Sequence, residues 1–233
     1  MRIYNNPMEM VREVERDLFE MGIHVHPDTM QDKNVKDNPD FDTLEVQAYG
    51  YTLTNWTVEG LERMVEYLNG NMKWAKEEAN DRVYPYYINP GTTWLLAKDL
   101  WKPFIRDGKF AYTYNERFRE QLPYVMHELN ERPSSRQVIM TMYDRHQDIN
   151  NWGGRDRIPC SMYYQFYKRN NKLNMIYTMR SCDFLTHFVH DVFFAIHLLG
   201  HVAQGTGSEI GNFVHFIGSL HAYQKDLKER GIF

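Results

Sequence analysis

The amino-acid sequence predicts an α+β fold in which helices cover one face of a β-sheet. Stretches with apolar residues at helical spacing and stretches with strand-like alternation both recur along the chain. The 233 residues are enough to build one sizeable core. No proline-rich, glycine-rich or low-complexity linker divides the sequence. We therefore expect one domain over residues 1–233.

The local signals place the elements in order. Asn6 can cap the first helix, and Pro7 suits its first position. Pro123 predicts a kink or a late start in a later helix, and Asn170-Asn171 suits a tight turn between two strands. The predicted elements are helices over 7–21, 58–69, 114–131 and 184–203, and strands over 43–53, 136–143, 161–169, 172–181 and 212–223, with no element predicted over 71–113.

Composition excludes several classes of protein. The 27 Lys and Arg against 31 Asp and Glu give a formal net charge of −4, which does not create the positive field of duplex-binding proteins. The longest apolar run, residues 191–203, is about half as long as a membrane span, and residues 1–10 lack the apolar region of a signal peptide. We therefore expect a soluble, cytoplasmic protein that binds neither duplex nucleic acid nor membrane.

The two cysteines, Cys160 and Cys182, are too few for a disulfide framework and lack the paired spacing of a zinc site. Cys160 follows Pro159 at the end of a loop that carries Arg155 and Arg157. A cationic neighbour lowers the pKa of a thiol, and the thiolate is the nucleophilic form. Cys160 is therefore a candidate nucleophile, and a small buried hydrophobic side chain is the alternative interpretation.

Two further polar clusters stand at predicted strand ends. Arg180 and Asp183 precede the long helix, where an arginine can grip a phosphate through two parallel donors. An ordinary surface ion pair is the alternative. His221 and Tyr223 are two residues apart and share one side of the last strand. Both can address a sugar hydroxyl, or they are polar residues at a sheet edge.

The long helix carries an acid and several histidines. His187, His190 and Asp191 have the i, i+3, i+4 spacing that puts metal ligands on one helix face. The common zinc-hydrolase motif instead has two histidines four apart with a glutamate after the first. His197 and His201 are four apart but lack that acid. We therefore expect no metal here and interpret His197 and His201 as packing residues.

Taken in order, Pro159-Cys160, the stretch YYQFYKRNNKLNMIYTMRSCD, the helix that carries Asp191 and the stretch GNFVHFIGSLHAY resemble the thymidylate synthase superfamily. The similarity covers roughly residues 108–227. It implies a thymidylate synthase-like fold, a mixed β-sheet covered by helices, with a homodimer formed through the sheet. It also implies that a pyrimidine nucleoside monophosphate receives a one-carbon unit from 5,10-methylene-tetrahydrofolate, with no metal.

In this family a cysteine thiolate adds to C6 of the pyrimidine, and C5 then attacks the one-carbon unit. Cys160 corresponds to that nucleophile. Arg136 corresponds to an arginine that reaches the partner's phosphate across the dimer, although the next residue is Gln137 in place of a second arginine. The resemblance assigns Arg180 and Ser181 to the phosphate, Gln165 to the nucleotide, His221 and Tyr223 to the sugar 3'-hydroxyl, and Asp183 to the pterin ring of the folate.

Two catalytic positions are less clearly marked. Tyr114 falls in the family's proton-relay region, but Asn115 replaces the glycine that normally follows. The general-base glutamate is expected on the second helix, where the spacing favours Glu62 over Glu59 and Glu66.

Residue 191 indicates which base is bound. Uridylate-specific members have an asparagine here, whose amide matches O4 and N3–H of uracil. Asp191 accepts from the N4 amine of cytosine and, when protonated, donates to N3. The deoxycytidylate hydroxymethylases of large bacteriophages have such an acid. The resemblance therefore implies dCMP as substrate, and 5-hydroxymethyl-dCMP as the product once water adds to the exocyclic methylene on the ring.

Other outcomes stay open within the family: methylation of dUMP or dCMP, hydroxymethylation of dUMP, and an inactive nucleotide-binding protein. Ser161 follows the nucleophile where the methylating enzymes have a histidine, and their N-terminal arginine loop is not recognisable. His187 and His190 lie on the folate-facing part of the family's helix, so they are candidates for contacts with folate or water.

Overall fold

The structure is a computed structural model that describes residues 1–30, 33–153 and 156–231. The strands in this part of the chain are β1 (Arg2–Tyr4), β2 (Ile23–Val25), β3 (Thr29–Met30), β4 (Lys33–Asn34), β5 (Thr43–Leu53), β6 (Ile139–Thr141), β7 (Ser161–Arg169), β8 (Lys172–Asp183) and β9 (Glu209–Tyr223). The α-helices are α1 (Pro7–Met21), α2 (Val58–Tyr67), α3 (Met72–Val83), α4 (Lys98–Trp101), α5 (Tyr114–Glu131), α6 (Phe188–Gly205) and α7 (Gln224–Glu229).

Seven of the described strands form one sheet. Six of them follow in the order β1-β5-β9-β8-β7-β6, and β2 pairs with the start of β5. β8 runs parallel to β9, and β1 runs parallel to β5, whereas the other neighbours are antiparallel. The predicted α+β class with a mixed sheet is confirmed.

The main core lies between the sheet and the helices. Tyr177 of β8 and Phe213 of β9 are fully buried on the helix-covered face. α6 is apolar almost all round, which is typical of a helix buried in a core. On the opposite face Phe216 is 42% exposed and Val214 is half-buried. The two-residue alternation along β9 thus separates a buried face from a second face that no helix covers within the described residues.

The strand directions bring three chain segments to one edge of the sheet. β7 begins where β8 ends, because the two are antiparallel, and Ser161 pairs with Met179. β9 is parallel to β8, so Asp183 at the end of β8 pairs with His221 near the end of β9. The start of β7 and the ends of β8 and β9 therefore meet.

The predicted turn between β7 and β8 is confirmed by the backbone. Asn170 and Asn171 have φ angles of 50° and 61°, the left-handed pair that a two-residue hairpin turn requires. Thr113 and Glu116 form a capping box at the start of α5. The helix then continues through Pro123, so the alternative of a late start is wrong.

The long helix starts later than predicted. α6 begins at Phe188, because β8 extends to Asp183 and a tight turn follows. The Asp183 carboxylate accepts the backbone N–H groups of Leu185 and Thr186 at 3.2 and 3.3 Å. Such side-chain bonds compete with the first helical turn.

Two other differences concern the length and presence of elements. β6 is limited to Ile139–Thr141 within the predicted strand 136–143. The segment 71–113 contains α3 and α4. Asn71 caps α3 by accepting the backbone N–H of Trp74. Large apolar residues show little helical periodicity over α3, because two alanines and an arginine make up much of its buried face.

Candidate active site

The edge where β7, β8 and β9 meet opens into a cavity of about 270 Å³. Residues of α3 and α6 and of the loop before β7 complete its walls. Of the residues predicted from the sequence, those that line the cavity are Tyr114, Cys160, Arg180, Ser181, Asp183, His187, Asp191, His221 and Tyr223.

Cys160 is half-buried directly before β7. Its carbonyl accepts the backbone N–H of Arg180 at 2.8 Å, which fixes the cysteine against β8. Burial raises the pKa of the Cys160 thiol, and the Arg180 guanidinium opposes this rise. An η-nitrogen of Arg180 lies 3.8 Å from Sγ, so a thiolate formed there has a cation beside it.

The Arg180 side chain also holds the loop that carries the cysteine. Its Nε donates to the Pro159 carbonyl at 2.9 Å, and an η-nitrogen donates to the Ile158 carbonyl at 3.0 Å. One arginine therefore positions the loop and places positive charge beside the thiol.

Arg157 is the second cation near Cys160. It is 9% exposed, lines the cavity and lowers the pKa of the Cys160 thiol. Four aromatic rings surround its guanidinium at 4.9 to 5.8 Å, which is a favourable cation–π arrangement. These rings belong to Trp101, Phe104, Phe110 and Tyr112. Arg155, the other arginine predicted near the thiol, lies outside the described residues.

The end of β9 contributes a histidine and a tyrosine. The His221 and Tyr223 rings meet edge to face with centroids 5.2 Å apart. Burial lowers the pKa of His221, which favours a neutral imidazole, and burial raises the pKa of Tyr223. Nδ1 of His221 lies 3.3 Å from both the hydroxyl and the carbonyl oxygen of Ser219. The pair therefore presents neutral polar groups to the cavity.

Asp191 stands on the first turn of α6 and faces the same cavity. Burial raises the pKa of its carboxyl group, whereas His187 and Arg82 lower it. The Cys182 thiol donates to Oδ2 of Asp191 at 3.8 Å. The raised pKa favours a protonated carboxyl group, which has one donor and one acceptor.

The two histidines before Asp191 are in different places. His187 lines the cavity, and its ring lies 6.2 Å from that of Trp101. His190 points into the core instead: its ring is 4.9 Å from the Trp74 ring, and Nδ1 donates to the Thr186 carbonyl at 3.1 Å. Burial lowers the pKa of His190 to about 4. The structure therefore does not bring His190 to the cavity.

The two predicted proton-transfer residues also differ. Tyr114 lines the cavity, and its hydroxyl accepts the backbone N–H of Ser161 at 3.4 Å. Glu62 is on α2 and pairs with Lys76 at 2.6 Å, and it is not among the described residues that line the cavity. Glu62 does not reach the cavity, because the buried face of α2 consists of apolar residues such as Met64.

Gln165 and Arg136 lie away from the cavity. Gln165 is in the middle of β7, half-buried on the sheet face that has no helix over it. Its Nε2 donates to the Arg136 carbonyl at 3.2 Å, and Arg136 itself is exposed.

Sequence reasoning missed several residues of the cavity wall, among them two from α3 and one from α4. Arg82 and Trp74 come from α3, and Trp101 comes from α4. The signal for Arg82 was available, because Ala75, Ala79 and Arg82 recur at i, i+4 and i+7 on the buried face of one helix. An arginine at a core position of a helix requires a partner or a ligand.

Neither a metal site nor a membrane span is apparent in the described ranges. No group of three or more His, Cys, Asp or Glu side chains within residues 1–30, 33–153 and 156–231 could hold a metal ion. In the same ranges, no helix combines the length and the apolar character needed to cross a bilayer.

Comparisons with known proteins begin with the sequence. The family model described as thymidylate synthase matches residues 32–230. A protein of Methanocaldococcus jannaschii is 30% identical over 115 residues, 49% of this chain and 52% of that protein. A thymidylate synthase of Mycoplasma mobile is 29% identical over 127 residues, 52% of this chain and 43% of that protein. The chain thus matches about half the length of these curated relatives.

A solved structure extends the likeness to almost the whole fold. Thermostable thymidylate synthase A from Bacillus subtilis superposes with a TM-score of 0.71 and 20% identity, over 96% of this chain and 82% of that chain. The thymidylate synthase-like fold predicted from the sequence is therefore confirmed. Because the family model also spans the cysteine loop, β7, β8, α6 and β9, the chain belongs to the thymidylate synthase family.

Proposed function

We propose that the chain is a dCMP 5-hydroxymethylase, which uses 5,10-methylene-tetrahydrofolate to convert dCMP into 5-hydroxymethyl-dCMP. The observation that carries this proposal is the half-buried carboxyl group of Asp191 in the same cavity as the Cys160 thiol. Such a product would serve DNA modification in a phage-infected bacterial cell.

The hydrogen-bonding edge of cytosine matches a protonated carboxyl group. Cytosine has an acceptor at N3 and a donor at the N4 amine. The raised pKa of Asp191 favours the protonated form, whose O–H donates to N3 and whose carbonyl oxygen accepts from the amine. Uracil has a donor at N3 and an acceptor at O4. The protonated carboxyl group matches uracil only if its O–H and its carbonyl oxygen exchange positions.

Cys160 supplies the nucleophile. Its sulfur forms a bond to C6, which makes C5 electron-rich enough to attack a one-carbon electrophile. The positive charges of Arg180 and Arg157 both favour the thiolate form of Cys160. We assign the phosphate to Arg180 and Ser181 and the sugar 3'-hydroxyl to His221 and Tyr223, all of which line the cavity.

The cavity also suits a folate. Within the described residues, the buried indole nitrogens of Trp74 and Trp101 have no hydrogen-bond partner, although both residues line the cavity. A flat heterocycle with acceptor atoms fits such a wall, and the carboxylate of Asp183 can accept from pterin N–H groups. The bound folate supplies the one-carbon unit. His187 and Tyr114 line the cavity as well, and we assign them to the water that adds to the exocyclic methylene of the ring.

A second candidate is one-carbon transfer to dUMP, by methylation or hydroxymethylation. One observation favours it: Arg82 lines the cavity and contributes to the electrostatic environment of Asp191. A guanidinium can donate to O4 of uracil while an ionised Asp191 accepts N3–H. The two candidates therefore differ in the protonation state of Asp191 in the complex.

We also propose a homodimer formed through the uncovered face of the sheet. Ile176, Val214 and Phe216 make part of this face apolar. Gln165 lies on the same face and Arg136 is beside it. In a dimer of this kind the exposed Arg136 side chain is free to reach the phosphate in the partner's cavity.

Purified protein incubated with methylene-tetrahydrofolate and either dCMP or dUMP tests the reaction. We expect dCMP to gain the mass of a hydroxymethyl group, with tetrahydrofolate as the other product. A methylated nucleotide accompanied by dihydrofolate absorbance would instead identify a methylating enzyme.

The role of Asp191 is tested by Asp191→Asn. An amide can match uracil with both of its hydrogen-bonding atoms, so the ratio of kcat/KM for dCMP over dUMP should fall by about tenfold or more. An unchanged ratio would remove Asp191 from base recognition.

A further inference from the structure

Arg82 is a buried cation to which neither the family resemblance nor the proposed reaction on dCMP assigns a role. Its side chain is 7% exposed on α3. The guanidinium carbon lies 4.1 Å from the Tyr114 ring centroid and 3.9 Å from the Phe194 ring centroid, so both rings hold it. Nε donates to the Glu78 carboxylate, one helical turn earlier, at 2.9 Å. The guanidinium is therefore fixed in position.

Most of the donors of this guanidinium remain unused. A guanidinium has five N–H groups. Within the described part of the chain, only the Nε–H of Arg82 forms a hydrogen bond, and its partner is Glu78. The side chain nevertheless lines the cavity that contains Cys160 and Asp191. A buried cation with open donors that faces a ligand cavity is more than a packing residue.

Arg82 faces the acid of α6. Phe194, against which the guanidinium lies, is three residues after Asp191, so both belong to one face of the helix. The Arg82 charge lowers the pKa of Asp191, against the larger effect of burial. The other titratable groups near Asp191 are His187 on α6, Cys160 before β7, Cys182 and Asp183 on β8, and three tyrosines of the sheet, Tyr51, Tyr164 and Tyr177. Arg82 differs from these groups because it is positively charged at every physiological pH.

The addition of the thiolate moves a negative charge through the cavity. Sulfur forms a bond to C6, the C5–C6 π pair moves to C4–C5, and the C4–N3 π pair becomes a bond from N3 to the proton that Asp191 gives up. The charge that was on the Cys160 sulfur is then on the Asp191 carboxylate. Arg180 lies beside the first position of this charge, and Arg82 faces the second.

We propose that Arg82 is a positioning residue whose guanidinium stabilises the carboxylate left on Asp191 after its proton has passed to N3 of the pyrimidine. The inference rests on the proposed function, because it requires a base that is not protonated at N3. Burial alone would make the charged form of Asp191 costly. The fixed cation reduces this cost at the moment when the adduct forms.

The test isolates addition to C6 from the later one-carbon chemistry. Reversible addition of the thiolate makes C5 exchange its hydrogen with solvent, so release of tritium from [5-³H]dCMP without folate measures this step. Arg82→Gln removes the charge and keeps polar donors, while Arg82→Lys keeps the charge. We expect Arg82→Gln to reduce the exchange rate by about tenfold or more and Arg82→Lys to recover most of it.

The pH profile separates this role from a structural one. Exchange requires a protonated Asp191, so its rate falls as the pH rises through the pKa of that group. Loss of the cation raises this pKa, so the alkaline limb of Arg82→Gln should move to higher pH while the dissociation constant of dCMP changes little. Arg117→Gln is the matched control, because Arg117 is also a buried arginine paired with a carboxylate, that of Asp148.

The outcomes distinguish the two proposals. If the wild-type protein releases no tritium from dCMP, the proposed function fails, and this inference fails with it. If the wild type exchanges but Arg82→Gln equals it in rate and in pH profile, the inference alone is wrong. Arg82→Lys no faster than Arg82→Gln, or Arg117→Gln as slow as Arg82→Gln at unchanged melting temperature, would also overturn it.

Discussion

Two histidines on β9, six residues apart, sit in opposite kinds of surroundings. His215 is fully buried inside the sheet core, and His221 is 7% exposed at the edge of the cavity. Burial lowers the pKa of both. By burial and pKa the two residues look alike, so these properties do not identify the functional one.

The partners of the two histidines separate them. Nδ1 of His215 shares a hydrogen bond with the Tyr51 hydroxyl at 2.9 Å, and its ring stacks on Tyr177 at 4.8 Å. The Tyr177 hydroxyl bonds in turn to Ser161 Oγ at 2.6 Å. Around His221 the side chains instead line a cavity, with Tyr223 and Asp183 beside it. Nδ1 of His215 therefore has its partner inside the core, although Nε2 has none among the described residues, whereas the groups around His221 line a cavity that can hold a ligand.

The two cysteines give the largest expected difference between a ligand-facing group and an interior group, because both lie where the start of β7 meets the end of β8. Cys160→Ala should reduce turnover by about 10³-fold or more, since the nucleophile is lost. Cys182→Ala should keep covalent addition, since Cys182 is the buried thiol that donates to Asp191. Intact-protein mass spectrometry with a nucleotide that traps the adduct checks both. An adduct that persists in Cys160→Ala would end the covalent mechanism.

The buried histidines should make the folded protein less stable at acid pH. Burial lowers the pKa of His215 to about 3 and that of His190 to about 4, against about 6.5 in the unfolded chain. As the pH falls below 6.5, the unfolded chain binds protons that the folded protein cannot. The free energy of unfolding should therefore fall by about 1.4 kcal/mol per pH unit for each histidine until its folded pKa is reached.

Urea unfolding between pH 7 and 4 measures this loss. His215→Phe should weaken the pH dependence, while His24→Gln, a change at an exposed histidine, serves as the control. Equal slopes in all three proteins would mean that buried His215 does not govern acid stability.

The smallest effect on activity is expected at Glu62, which lies outside both the core around His215 and the cavity around His221. Its ion pair with Lys76 at 2.6 Å is partly exposed, and such pairs contribute about 1 kcal/mol or less. Glu62→Gln should therefore change kcat/KM by less than about threefold, with a similar result for the matched variant Lys76→Met. A loss of about 100-fold in kcat for Glu62→Gln alone would restore Glu62 as a general base.

Local signals predicted much of the fold. Asn6 and Pro7 begin α1, and Asn170 and Asn171 form the turn from β7 into β8. Each signal depends on bonds within a few residues, so a single sequence contains it. α3 was not predicted, because alanines and an arginine occupy much of its buried face and large apolar residues show little periodicity there.

The candidate site also contains two kinds of residue: those that the sequence identifies and those whose position depends on packing. Cys160, Arg180, Asp183, His221 and Tyr223 were predicted because residue type and order identify them by resemblance. Strand pairing brings all five to one cavity. Glu62 and His190 do not line this cavity, because the rotation of a helix decides which of its side chains face a cavity and which face the core or the solvent. Gln165 and Arg136 depend on a second face of the sheet, which one chain alone leaves uncovered.

The sequence by itself determined the α+β class, the principal strands and helices, and the residue types that carry the chemistry, because periodicity, capping and turn preferences are local. Only the tertiary structure decided which of these residues meet. Parallel pairing of β8 with β9 joins Asp183 to His221 across 38 residues of chain. Packing of α3 on α6 brings Arg82 to face Asp191. Both contacts depend on distant segments, and no local pattern encodes them.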